Sequence, residues 1–102
     1  MNSIVNQLIL TASITELEVL RYTPAGLPAL NIKLEHESEM IEAGQKRLVK
    51  AAVKAVAFGV IAERLVKQAV SSTWNFSGFL ATPRNGKHVV FHIQEFQQLA
   101  NS

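Results

Sequence analysis

Apolar and polar positions alternate most clearly between Ser71 and Phe96. Trp74, Phe76, Gly78 and Leu80 alternate with Thr73, Asn75, Ser77 and Phe79, the period-2 pattern of a half-buried strand. Val89, Phe91 and Ile93 then alternate with Val90, His92 and Gln94. Between the two runs stands Arg84-Asn85-Gly86-Lys87, and Asn-Gly between apolar runs predicts a tight hairpin turn. Upstream, Gln7 to Arg21 holds neither Gly nor Pro and places Leu8, Leu10, Ala12 and Ile14 at alternate positions, predicting a long strand bent near its middle. Tyr22 to Gly26 reads as a turn, with Pro24 presetting one dihedral and Gly26 free to take a positive φ. Pro28 to Glu35 returns as a second strand with Leu30, Ile32 and Leu34 on its buried side. The acidic run Glu35 to Gly44 reads as a surface loop.

Gln45 to Gln68 supports two patterns. Its alanines, and Lys46, Lys50 and Lys54 at four-residue spacing, favour one helix from about Arg47 to Gln68 on propensity. The competing pattern makes Arg47 to Phe58 a strand, ended by Gly59, and Val60 to Gln68 a short helix. That helix has Ile61 and Leu65 on its inner face and a Glu63–Lys67 pair outside. Architecture favours the second, because Gly59 is unfavourable inside a helix and the hairpin that follows needs strands to pair with. The resulting order is three strands, a helix and two strands in a single domain over residues 1–102, the pattern of a mainly-β, five-stranded OB-fold barrel. Gln97 to Ser102 reads as a frayed end.

Charge changes this picture by its distribution. Residues 1–44 carry two basic residues against six glutamates, a sum of −4, and residues 45–102 carry eight against two, a sum of +6. Such asymmetry suggests an electropositive face contributed by the second half, the alternative being ordinary surface charge that folding scatters. The first ten residues lack a basic region and a cleavage site, so no signal peptide is expected, and no apolar run approaches the roughly 20 residues of a membrane span. The absence of cysteine accords with a reducing compartment, and the cytoplasm is the expected location.

Catalytic chemistry finds little to work with. There is no Asp for a triad or a magnesium site and no Cys for zinc. His36, His88 and His92 lack ligand spacing, and the five glycines never cluster into a phosphate-cradling loop. Neither an enzyme nor a cofactor is expected. Binding to single-stranded nucleic acid fits better, since it needs a basic groove and a few flat side chains on which bases stack. Lys46, Lys50 and Lys54 point from one face of the third strand, and Arg84, Lys87 and His88 form a basic finger without an acidic neighbour. Phe79 lies opposite in parity to Trp74, Phe76 and Leu80, and so faces outward if those three are core. Hairpin tips are usually solvated and often basic for solubility alone, which is the plainer account of the finger, and a dimer contact accounts equally well for Phe79.

The segments LRYTPAGLPALNIKLEHES, the Ala-Gly before the third strand, and SGFLA entering the last hairpin resemble the primosomal replication protein N (PriB) family. RYTPAG and AFGVIAERLVKQ also resemble single-stranded DNA-binding protein, a relative of that family. The resemblance covers nearly the whole chain and rests on the order of short motifs. It implies a homodimeric OB-fold that binds single-stranded DNA and contacts the restart helicase (PriA) and a further primosome factor. Carried over by position, it implies DNA contacts from Arg21, Lys50, Phe79, Arg84 and Lys87; Arg47, and His88 of the basic finger, are expected to join them. Lys50 stands where some members have a stacking tryptophan, Glu37 where some have a basic residue, and the last loop is shorter and less rich in lysine than in the family. These departures imply weaker, more salt-sensitive DNA binding, with protein contacts carrying more of the function. Two other readings compete: a minimal single-stranded DNA-binding protein that coats DNA as a tetramer, and a protein–protein adaptor on the same scaffold. The first strand, Asn6 to Thr15, is the expected dimer edge.

Overall fold

The structure, a computed structural model, describes residues 3–99. Among the described residues, six strands and one helix follow in the order β1 (Leu8–Leu17), β2 (Arg21–Tyr22), β3 (Pro28–Glu42), β4 (Gln45–Phe58), α1 (Val60–Leu65), β5 (Thr73–Ala81) and β6 (Val90–Gln97). Strand β1 pairs antiparallel with both β5 and β3, β3 with β4, and β5 with β6. A parallel pairing of β4 with β6 closes the barrel. Five long strands therefore form a closed OB-fold barrel with the short helix between β4 and β5, as the strand–helix pattern predicts. The single-helix alternative for residues 47–68 does not form.

Alternation along β1 works as the pattern requires. Ala12 and Ile14 are buried and Leu8 and Leu10 pack against them, while the bend falls at Thr15, where the β1–β3 register slips between Ile14 and Glu16. The predicted strand to Arg21 ends earlier, at Leu17, and Arg21 begins the separate two-residue β2 opposite Ala29. The break follows from geometry: the bulged strand leaves the ladder, and Glu18 N–H is satisfied by the Asn31 carbonyl at 3.1 Å instead.

The acidic segment 35–44 is not a loop. Strand β3 continues through Glu42, paired residue for residue with β4 from Ala29↔Phe58 to Glu42↔Gln45, and only Ala43 and Gly44 turn. Both take positive φ, 53° and 77°, the signature of a two-residue type I′ hairpin turn. The density of glutamate hid an alternation in which Glu35, Glu37 and Glu39 face one way and His36, Ser38 and Met40 the other. Glu37 lies directly opposite Lys50, so an opposite charge supports the ladder where apolar burial does not. The result is a two-stranded arm continuous with the barrel wall.

The core is built from Ile14, Leu30, Ile32, Leu34, Leu65, Phe76 and Phe91, all fully buried. Each such side chain contributes about 1.5–3 kcal/mol by leaving water. Helix α1 brings Ala62 and Leu65 into this core, with Ile61 and Val66 packed beside them. It is shorter than the predicted 60–68 segment, and Glu63 and Lys67, both exposed, form no ion pair with each other. Gly59 stands at the strand-to-helix corner with φ 72° and ψ −140°, a conformation that excludes a side chain, while its N–H donates to the Pro28 carbonyl at 2.8 Å.

Two features of the last strand pair depart from the pattern. Residues 82–89 form a longer exposed loop in place of a tight hairpin, with a turn in which Gly86 N–H donates to the Pro83 carbonyl at 2.9 Å. Pro24 presets the second position of its turn, whereas Pro83 is the first residue of this one, and the β5–β6 ladder ends at Ala81, before the Asn-Gly pair is reached. Leu80, expected in the core, keeps inward parity opposite Phe91 but is 36% exposed, and Trp74 is half-buried. At Leu80, both backbone groups bond the Asn6 amide, which donates to its carbonyl at 2.7 Å and accepts from its N–H at 2.9 Å. At the other end, Gln97 is the last residue of β6, whereas residues 100–102 of the expected frayed tail lie outside the described residues.

Candidate nucleic-acid interface

Strand β6 runs between β4 and β5, so an outward side chain on β6 has one neighbour on each side. That position is His92. It lies directly opposite Phe79 on β5 and beside Val56 on β4, two residues before Phe58. The Phe79 ring stacks on the imidazole with centroids 4.8 Å apart and planes 16° apart. On the other side the Phe58 ring lies at 5.9 Å and 31°. Three flat rings thus form a wall across three strands, and Phe58 at its end is 39% exposed.

Gly78 makes this arrangement possible. The β5–β6 register slips between Ser77 and Gly78, leaving Gln94 as the extra residue of a bulge. The His92 backbone crosses so close to Gly78 that no side chain fits there. The bulge aims Phe79 and His92 at the same outer surface.

A groove of about 670 Å³ lies beside the wall. Arg21, Asn31, Lys33, Lys54, Phe58, Pro83 and His92 line it together with Glu18. Lys33 and Lys54 are directly opposite each other on β3 and β4, and both are exposed. Lys33 is also 3.8 Å from Glu16, a half-exposed pair that leaves the ammonium accessible. The Arg21 guanidinium donates to the Asn31 side-chain oxygen at 3.4 Å. Cationic ends beside flat ring edges form a surface that can hold phosphates and stack bases together.

The residues expected from sequence fall into three places. Arg21 and Phe79 belong to the groove and the wall. Arg84, Lys87 and His88 are exposed on the loop 82–89, whose Pro83 borders the groove. Lys50 and Arg47 lie on the arm, and on opposite faces of it: Lys50 pairs with Glu37 on the outer face, whereas Arg47 pairs with Met40 on the other and forms an ion pair with Glu42. Lys46, Lys50 and Lys54 do share the outer face, as the strand pattern predicts. Lys50 also lines a second groove, with Thr11, Ser13, Glu35, Glu37 and Thr73, where β1 parts from β3. There His36 bridges the two: its Nδ1 donates to the Thr11 carbonyl at 2.6 Å and its Nε2 is 2.7 Å from Ser38 Oγ.

Phe58, His92 and Lys33 are residues that sequence reasoning passed over. Phe58 closes the alternation Lys50, Ala52, Lys54, Val56, Phe58 on the outward parity, and that signal is readable. His92 reads as surface decoration until the bulge sets it opposite Phe79. Among the described residues no group of three or more His, Cys, Asp or Glu is placed to hold a metal ion, and no helix is long and apolar enough to cross a membrane.

Comparison with known proteins shows the family and the fold. Residues 6–95 match the model of a family described as another single-strand binding protein family. The chain is 41% identical over 98 residues to replication restart protein PriB of Bordetella pertussis, spanning 95% of this chain and 92% of that protein. The solved structure of PriB from Ralstonia solanacearum superposes with a TM-score of 0.85 at 35% identity, covering 93% of this chain and 98% of that one. The single-stranded DNA binding protein of Thermus aquaticus shares the fold, with a TM-score of 0.75 at 23% identity over 94% of this chain and 50% of that one. The chain belongs to the single-strand binding protein family and, within it, to the replication restart PriB proteins.

Proposed function

We propose that the protein binds single-stranded DNA in replication restart, and that it does so without catalysing a reaction. The observation that carries this reading is the Phe79–His92–Phe58 wall standing beside the Arg21–Lys33–Lys54 groove. Bases stack against the exposed ring surfaces, and phosphates follow the groove lysines toward Arg84, Lys87 and His88 on the loop. Lys50 extends the track onto the arm, where Glu37 opposite it weakens the local attraction.

The protein acts as a homodimer in the cytoplasm and links the DNA to the restart helicase (PriA) and a further primosome protein. In support of the dimer, Leu8 to Ala12 pair with no strand but β5 among the described residues, so apart from the Thr11 carbonyl held by His36 that stretch of β1 leaves an edge open to a second strand. In support of protein contacts, Met40, Ile41 and Leu48 are exposed near the arm's tip, and a two-stranded ribbon cannot bury them by itself.

Titration of a labelled oligonucleotide into the protein at several salt concentrations tests the reading. Affinity should fall with salt, and fall further in Phe58→Ala and in the Arg84→Ala/Lys87→Ala double variant. Parental affinity in both variants would remove the DNA site from this surface, and salt-independent binding would contradict a phosphate-tracking groove.

A further inference from the structure

Six asparagines occur in the chain, and Asn85 alone precedes a glycine. It sits in the eight-residue stretch 82–89, every position of which is exposed. Its backbone φ is 67°. Neighbouring Arg84 and Lys87 supply two positive charges and no acidic residue lies within the stretch.

We infer that Asn85 is a site of spontaneous deamidation, and that the reaction weakens the grip of this loop on a polyanion. The Gly86 amide nitrogen, unhindered by a side chain, loses its proton and attacks Asn85 Cγ. The bond from Cγ to the side-chain nitrogen breaks and ammonia leaves, closing a succinimide. Water then opens the ring at either carbonyl, giving aspartate or isoaspartate. One ammonia is released, one water is consumed, and nothing is oxidised or reduced. Either product carries a carboxylate between Arg84 and Lys87 and removes one of the loop's two net positive charges. The isoaspartate form also lengthens the backbone by a methylene, which breaks the turn between Pro83 and Gly86.

The same turn controls the rate. In the folded loop Gly86 N–H donates to the Pro83 carbonyl at 2.9 Å, which aims the nitrogen away from attack. Conversion therefore proceeds through opening of the loop, and a ligand that orders the loop slows it. The effect on affinity rests on the nucleic-acid role proposed above, whereas the conversion itself does not.

The test is to incubate the folded protein in mildly alkaline buffer, with and without excess single-stranded oligonucleotide, and to map its peptides by mass. Asn85 should convert ahead of Asn31 and Asn75, more slowly with oligonucleotide, and Asn85→Gln, which must close a larger ring, should not convert. In the converted fraction and in Asn85→Asp, affinity should fall and the logarithmic salt slope should shrink by about 0.7, the contribution of one phosphate contact on a single strand. Retention of the Asn85 amide while Asn31 or Asn75 converts overturns the inference. Conversion with unchanged affinity overturns its consequence, and parental affinity in Arg84→Ala/Lys87→Ala assigns that failure to the DNA role of the loop.

Discussion

A β-carbon added to Gly78 would stand 1.8 Å from the carbonyl oxygen of His92. No real contact is that short, and the atom it meets is backbone in the facing strand. The bulge that gives this family member its outer aromatic wall therefore depends on one missing methyl group. Gly78→Ala should destabilise the fold by about 3 kcal/mol or more, read from urea unfolding, because neither strand can shift without breaking the ladder. A variant with the parental midpoint would show that the two strands do not approach in this way.

At the arm's tip the sign is reversed. Ala43 holds φ 53° in the type I′ turn, a region that a residue with a β-carbon resists by about 1–2 kcal/mol. Ala43→Gly or Ala43→Asn should raise stability by about 0.5–1 kcal/mol, measured as a higher urea midpoint at unchanged slope.

The two phenylalanines of the wall should behave alike toward DNA. Phe58→Ala and Phe79→Ala are each expected to weaken oligonucleotide binding by roughly 1–3 kcal/mol, the range for one stacked base, in titrations at fixed salt. Arg47→Ala should leave affinity unchanged, since Arg47 points to the other face of the arm and is engaged with Glu42.

The single tryptophan offers a control. Trp74 meets Phe96 edge-on at 5.1 Å, donates from Nε1 to Ser72 Oγ at 2.9 Å, and shares Phe96 with the Arg64 guanidinium 4.8 Å above that ring. It has the opposite parity to Phe79 and does not line the groove. Its emission should change on unfolding and stay constant when oligonucleotide saturates the protein.

His36 holds the root of the arm to β1 through the Thr11 carbonyl. His36→Ala should speed hydrogen exchange along Ser38 to Val49 and lower stability by about 1 kcal/mol, the worth of a hydrogen bond.

Much of the barrel is legible in the chain because its buried sides alternate. Leu30, Ile32 and Leu34, or Phe91 and Ile93, state their strands by period alone. The arm is not legible that way, since beyond Leu34 neither of its faces is uniformly apolar and charge density imitates a loop. The site is divided in the same manner. Phe79 follows from parity, but His92 becomes its neighbour only through a register slip at Gln94, and a slip of one residue leaves no mark on composition. Lys33 and Lys54 face each other because β3 and β4 pair in one register among several that the alternation alone allows.

The barrel's weakest seam is also the line along which its rings are laid. Strands β4 and β6 are joined by two residue pairs, Ala55↔Phe91 and Val56↔His92, whereas β3 and β4 are paired from Ala29↔Phe58 to Glu42↔Gln45. Phe58 stands on one side of that seam, and His92 and Phe79 on the other. A strand of DNA that grips both phenylalanines bridges it, so binding energy is converted into resistance to opening. Loading with oligonucleotide at the proposed site would then act as a brace on the closed cylinder, with its protection concentrated where the wall itself has the fewest backbone bonds.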